Sequence, residues 1–188
     1  MTVVVITPPE PLVSLALAKQ HLRVDDDGQN TLIAAYVAAA SAHIDGPDGW
    51  LGRAIGTQTL EMVGEAFPYG PLRLPYEPVQ SVVSVKYLDA NGVEQTWPSP
   101  GYEISGGNLL PVYGSSWPSV RFGAGAGAAR VRWVAGRATI PPAIVAAVLL
   151  MVGDLFANRE TSIEGSASAV PMSTTAQNLL SPFKAWRV

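Results

Sequence analysis

Residues 30–44, NTLIAAYVAAASAHI, carry the clearest helical pattern in the sequence. The larger apolar side chains recur at spacings of about three and four residues. They are Leu32, Ile33, Tyr36, Val37, Ala40 and Ile44. Most of the other positions are alanine, which allows another helix to approach closely. The pattern predicts a helix over residues 29–45 that packs within a helical bundle.

Two further helices are predicted on either side of this segment. Ser14 stands as an N-cap before a short apolar-periodic run, which predicts a helix over residues 14–23. Pro141 and Pro142 suit the first turn of a helix over residues 141–159. That helix is apolar on nearly all faces, so it is expected to be buried in the subunit or between subunits.

Between these helices the sequence has the alternating apolar and polar pattern that is typical of β-strands. Val83, Val85 and Tyr87 alternate with polar residues, and Asn91-Gly92 favours a hairpin turn. Residues 130–134 alternate again. The prediction is an α+β fold: a small helical bundle with an inserted antiparallel β elaboration over residues 57–136. A core of residues 1–160 would be followed by an extended C-terminal arm, residues 161–188.

The composition narrows the classes of function. Hydrophobic residues make up 48% of the chain and charged residues only 14%, with a formal net charge of -3. Typical domains carry about 25% charged residues, so we expect part of the apolar surface to meet other chains. The acidic balance argues against tight binding to a nucleic-acid backbone. With no cysteine, disulfides, thiolate metal sites and cysteine nucleophiles are excluded. No signal-peptide or membrane-spanning pattern is seen, so a soluble, non-secreted protein is expected.

The sequence segments that could suggest catalysis or metal binding each lack residues that such sites require. The run 25–27 is acidic, but residues 29 and 30 do not continue a calcium-binding loop. The glycine-rich stretch 123–127 lacks the lysine of a phosphate-binding loop. His21 and His43 have no partner at the spacing of a zinc site. No enzyme activity, cofactor or metal is therefore predicted.

The most basic segment holds four arginines that are candidates for a channel-facing or subunit-interface role. They are Arg121, Arg130, Arg132 and Arg137. Arginine readily contacts phosphate, so these side chains could face DNA that passes nearby. The alternative, favoured by the net charge, is a solvent-facing or subunit-facing strand edge.

The order of sequence phrases resembles the head-tail connector (portal adaptor) family of tailed bacteriophages and phage-derived particles. The phrases are PLVSLALAKQHLRVD (11–25), the helix 30–44, GRAIGTQTLEM (52–62), LPYEPVQSVVSVKYLDANG (74–92) and VRWVAGRATIPPAIVAAVLLMVGDLFANRE (131–160). Each phrase is weak alone, but the ordered set covers most of residues 11–160. The glycine-rich stretch 101–127 is longer than the family's usual pattern.

The resemblance implies a structural adaptor without catalytic residues. It would form a homo-oligomeric ring of about twelve copies between the portal protein and the stopper or tail protein. DNA would pass only in transit through the channel, and no membrane would be involved. The protein would be assembled in the host cytoplasm and reside in the virion or phage-like particle.

Within this interpretation, the C-terminal arm is predicted to dock apolar side chains on the portal. These are Leu179, Leu180, Phe183 and Trp186. Two alternatives stay open: a tail-completion or stopper protein of the same particle, and a small enzyme with a β-rich site. Helices that bracket the strands favour the connector, because a stopper is expected to be mainly β.

Overall fold

The computed structural model describes residues 1–158 and 172–185. The chain folds as two compact units. The β unit contains Met1–Pro9 and Thr57–Arg137, and the helical unit contains Glu10–Gly56 together with the described residues from Ala138 onward. Helices and antiparallel sheets are both present, which confirms the predicted α+β class.

The β unit contains a five-stranded and a three-stranded antiparallel sheet. In the first, the strand order is β1-β2-β8-β4-β5, and in the second it is β3-β7-β6. The strands are β1 (Thr2–Thr7), β2 (Gln58–Gly64), β3 (Leu72–Arg73), β4 (Val79–Leu88), β5 (Glu94–Trp97), β6 (Tyr102–Ser105), β7 (Asn108–Pro111) and β8 (Ala129–Ala135).

Strand β8 lies at the centre of the larger sheet, and its side chains alternate strictly between a buried and a partly exposed face. The neighbouring strand β2 shows the same alternation. Trp133 of β8 is paired with Leu60 of β2 and with Val82 of β4. Trp133 and Leu60 are fully buried. The core of this sheet is therefore built on the predicted alternating pattern around residues 130–134.

The hairpin between β4 and β5 forms at the predicted Asn-Gly turn. The Asp89 carboxylate accepts hydrogen bonds from the backbone N–H groups of Asn91 and Val93, at 2.9 and 3.0 Å. Gly92 takes a φ of +79°, which glycine adopts without steric cost. The turn thus fixes the register in which β5 leaves β4.

The helical unit has four helices among its described residues: α1 (Leu15–Leu22), α2 (Asn30–Ile44), α3 (Pro142–Ala157) and α4 (Thr174–Leu180). The hydroxyl of Ser14 caps α1 by accepting from the backbone N–H of Leu17 at 3.2 Å. The fully buried core residues Ile33, Ile44 and Val148 show that α2 and α3 contribute their apolar faces to one cluster.

The loop after α2 is held by a buried carboxylate. Asp45 accepts hydrogen bonds from the backbone N–H groups of Ile55 and Gly56, at 2.7 and 2.9 Å. Leu51 within this loop is fully buried in the helical core. The glycine-rich stretch that ends α2 is consequently an ordered part of the helical unit.

Residues 2–7 form strand β1, which pairs with β2. One sequence-based expectation needs correction. The described residues of the predicted extended arm, 172–185, instead include helix α4 and a 3-10 turn, Ser181–Phe183. The arm's remaining residues, 161–171 and 186–188, lie outside the described part of the chain.

Candidate interaction surfaces

The C-terminal segment contributes to the core of the helical unit. Ala176 and Leu180 of α4 are fully buried in the helical cluster. The backbone N–H of Ala185 donates to the carbonyl of Leu51 at 2.8 Å. The Lys184 ammonium lies 3.9 Å from the centre of the Trp50 ring, a cation–π contact. The C-terminal segment is thus held on the rest of the helical unit by buried apolar side chains, a backbone hydrogen bond and a cation–π contact.

The four predicted portal-docking residues therefore have different environments. Leu180 is fully buried, so its prediction as a docking residue is wrong for this conformation: the side chain stabilises the core. Leu179 and Phe183 are partly buried against the same core and keep some accessible surface. Trp186 lies outside the described residues.

Two of the four candidate arginines form ion pairs with carboxylates on other strands of the sheet. Arg132 contacts the Glu61 carboxylate, with Nη2 2.8 Å from Oε2. Arg130 contacts Glu94, which also accepts from Lys86 Nζ at 2.7 Å. These partners stand on β2 and β5, so one face of the sheet carries a largely neutralised charge network.

Arg121 and Arg137 are exposed. Arg137 follows the end of β8, while the backbone N–H of Arg121 donates to the Leu88 carbonyl, at the end of β4 that adjoins the start of β8. The strand-edge interpretation is wrong for Arg130 and Arg132, because β8 is the central strand. The sequence could not show this, since an alternating strand looks alike at the centre and at the edge of a sheet.

Three large aromatic side chains in the β unit are fully exposed: Tyr69, Tyr113 and Phe122, at 113%, 106% and 101% of their reference areas. They stand on the connections between β2 and β3 and between β7 and β8. Gly64 and Ala129, where these connections join β2 and β8, are paired in the sheet. We call Tyr69, Tyr113 and Phe122 the aromatic loop residues.

A cluster of aromatic rings supports these loops. The rings of Phe67 and Trp117 stack with centroids 4.7 Å apart, and Trp97 packs on Trp117 at 5.3 Å. The indole N–H of Trp117 donates to the carbonyl of Gly70 at 3.0 Å. This bond ties the two connections together beside Tyr69. The sequence shows aromatic residues in both loops, but not which of them are buried and which are exposed.

Carboxylates with lowered pKa values belong to turns. The Lys19 ammonium, 2.8 Å away, and the amide of Asn30 hold the pKa of Asp27 below its usual value. The side-chain amide of Gln95, together with backbone N–H groups, does the same for the pKa of Asp89. Asp27 is exposed and Asp89 is partly buried. Both carboxylates accept hydrogen bonds within local turns, which accounts for the lowered pKa values.

A cavity of about 240 Å³ lies in the helical unit. It is lined mainly by apolar side chains, with His43 and Asp154 as its titratable members. Among residues 1–158 and 172–185, no group of three or more metal-ligating side chains is found. Within the same ranges, no helix is long and apolar enough to cross a membrane.

In the part of the chain that the structure describes, the notable surface features are the exposed aromatic loops, a sheet face whose charges are paired, and the C-terminal helix that packs on the helical core. No protein-family model matches the sequence, and no curated protein matches it.

Solved structures share the fold. A chain from the neck of an empty gene transfer agent (GTA) particle, computed with C6 symmetry, is 21% identical, with a TM-score of 0.77. The match covers 100% of this chain and 97% of that chain. A chain from the virion of a native GTA particle gives the same values. A chain from the neck of a native GTA particle, computed with C12 symmetry, matches at 21% identity and a TM-score of 0.70.

Proposed function

We propose that this protein is a ring-forming adaptor in the neck of a phage-derived particle, between the portal and the stopper or tail. The observation that carries the proposal is the fold match over the whole chain, at a TM-score of 0.77, to chains of GTA particle necks. Both units take part in that match, because it covers 100% of this chain.

The surface chemistry supports an assembled state. With only 14% charged residues, the chain has little charge with which to cover its surface as a monomer. Chains of its fold occur in necks computed with C6 and C12 symmetry, so a cyclic ring of twelve copies is the oligomer that we propose. A ring also gives many copies of each weak contact, which raises the overall affinity for a coaxial partner.

We assign the aromatic loop residues to the contact with an adjacent neck protein. Large aromatic side chains supply much of the binding energy in protein interfaces, and here they are fully exposed. Leu179 and Phe183 are the remaining candidates for a portal contact, because each keeps accessible surface. Arg121 and Arg137 are the candidates for a channel-facing or subunit-facing role, because they are exposed.

Replacing the aromatic loop residues together (Tyr69→Ala, Tyr113→Ala, Phe122→Ala) is expected to weaken binding to the adjacent neck protein by about 30-fold or more, equivalent to about 2 kcal/mol. The thermal unfolding temperature should change little, because these side chains bury almost no area in the subunit. Binding is measured by biolayer interferometry. Leu17→Ala with Leu32→Ala, also exposed apolar positions, is the matched control. Unchanged binding of the triple variant would refute this assignment.

The adaptor function is tested by removing the gene from the source of the particles. Particles assembled without this chain are expected to accumulate as heads without tails, beside free tails. Supplying the wild-type chain from a plasmid should restore joined particles. Joined particles in normal numbers without the chain would contradict the proposed function.

A further inference from the structure

Strand β1 is an edge strand without the usual protection of a sheet edge. Its sequence, TVVVIT, contains no charge and no proline. Val4 and Val5 are each 42% exposed, and Ile6 is 41% exposed. Natural proteins normally protect such an edge with lysine, proline or a covering segment, because unpaired N–H and C=O groups template another strand. A bulge at Ile6 disturbs only the end of the strand.

The opposite edge of the same sheet is strand β5. Among the described residues, backbone pairing of β1 is found only with β2, and that of β5 only with β4. The carboxylate on β5, that of Glu94, is paired with Lys86 and Arg130. Neither edge strand therefore carries an unpaired charge that would be desolvated when a neutral strand is added.

The topology determines how these edges would meet in a ring. Every neighbouring pair in the sheet is antiparallel, so β1, β8 and β5 run in one direction. Adjacent copies in a twelvefold ring differ by a rotation of about 30°. A rotation of this size does not reverse the sense of the strands, so the β1 edge of one copy and the β5 edge of the next run in the same sense.

We propose that β1 pairs in parallel with β5 of a second copy of this chain, so that the sheets continue around the ring. The contact is heterologous, as a closed ring requires, and covers the exposed valines of β1. Backbone hydrogen bonds supply the affinity, as in other cases of strand addition. This inference rests on the proposed ring-forming function and adds the interface that closes the ring.

Cysteine cross-linking tests the pairing, because the chain has no cysteine of its own. The sheet registers place Thr2, Val4 and Thr96 on the same face. Thr96→Cys is combined with Thr2→Cys or with Val4→Cys, and portal-bound rings are oxidised. A disulfide ladder extending beyond dimers is expected in at least one combination. Each single variant should remain monomeric on a non-reducing gel.

Several outcomes would overturn the pairing. Dimers from Val4→Cys alone would indicate a twofold β1–β1 contact, and rings that form without any cross-link would show another interface. In both cases the adaptor function would still stand. Wild-type protein that forms no ring on the portal would instead refute the proposed function, and the β1–β5 contact with it.

Charge on the edge gives a second, independent readout. Val4→Lys with Val5→Lys is expected to reduce the fraction of chains in rings by about tenfold or more, because lysine on an edge opposes strand pairing. Val83→Lys is the matched control, since Val83 is 54% exposed on the inner strand β4. Circular dichroism checks that each variant folds. Full ring formation by the double variant would contradict the pairing.

Discussion

Replacing Leu180 by alanine is expected to destabilise the helical unit by about 3 kcal/mol, within the range seen for leucine deletion in closed cores. Leu180 is fully buried where α4 joins the helical cluster. The loss includes both the transfer of the leucine side chain and the cavity that remains. Urea denaturation followed by far-ultraviolet circular dichroism measures the change in the free energy of unfolding.

Leu32→Ala is the matched control for this variant. Leu32 lies on α2 and is 36% exposed, so its replacement should cost less than about 1 kcal/mol. If Leu180→Ala were no more costly than Leu32→Ala, the C-terminal segment would not be docked on the helical core in solution. By the same reasoning, removal of residues 173–188 is expected to destabilise the subunit, in addition to any loss of portal binding.

Replacing Trp133 by alanine is expected to destabilise the β unit by about 4 kcal/mol. Trp133 is the largest fully buried side chain among the described residues and lies on the central strand β8. Its removal leaves a cavity that paired strands can close only by moving their backbones. Urea denaturation followed by near-ultraviolet circular dichroism reports the loss of packing around the aromatic side chains.

Trp133→Phe separates packing from hydrogen bonding. The indole N–H of Trp133 is buried and has no hydrogen-bond partner within residues 1–158 and 172–185. Phenylalanine keeps most of the apolar contact and removes an unsatisfied donor, so the expected cost is only about 1 kcal/mol. If Trp133→Phe lowered the free energy of unfolding as much as Trp133→Ala does, the indole N–H would not be an unsatisfied buried donor.

Much of the fold follows from local sequence patterns. The apolar spacing in residues 30–44 predicts α2, and Ser14 predicts the beginning of α1. The alternation at residues 130–134 predicts β8, and Asn91-Gly92 predicts the hairpin. In each case the signal and the structure depend on neighbours along the chain, so the sequence suffices.

The elements that the sequence did not reveal depend on distant partners. Strand β1 exists because β2 offers a pairing edge far along the chain, as in the pairs Thr2 with Val63 and Thr7 with Thr59. Helix α4 has only seven residues, too few to be stable alone, and is stabilised by burial of Leu180. Neither a pairing partner nor a packing partner is visible in a local pattern.

The environments of the candidate contact residues also depend on partners that are distant in the sequence. Arg130 forms an ion pair with Glu94, and Arg132 forms one with Glu61. Both carboxylates come from other strands, so a local pattern does not show these pairs. The exposure of Tyr69 and Tyr113 depends on loops held by the Trp117 ring. The sequence could indicate that aromatic and basic residues are enriched in these segments, but their environment is a property of the tertiary structure.

Electron microscopy of the protein mixed with the portal of the same particle, with light scattering of the protein alone, tests the adaptor function most directly. We expect a ring of about twelve copies at the narrow end of the portal, coaxial with its channel. A protein that stays monomeric and leaves the portal bare would contradict it, and the match to GTA neck chains would then describe the fold alone.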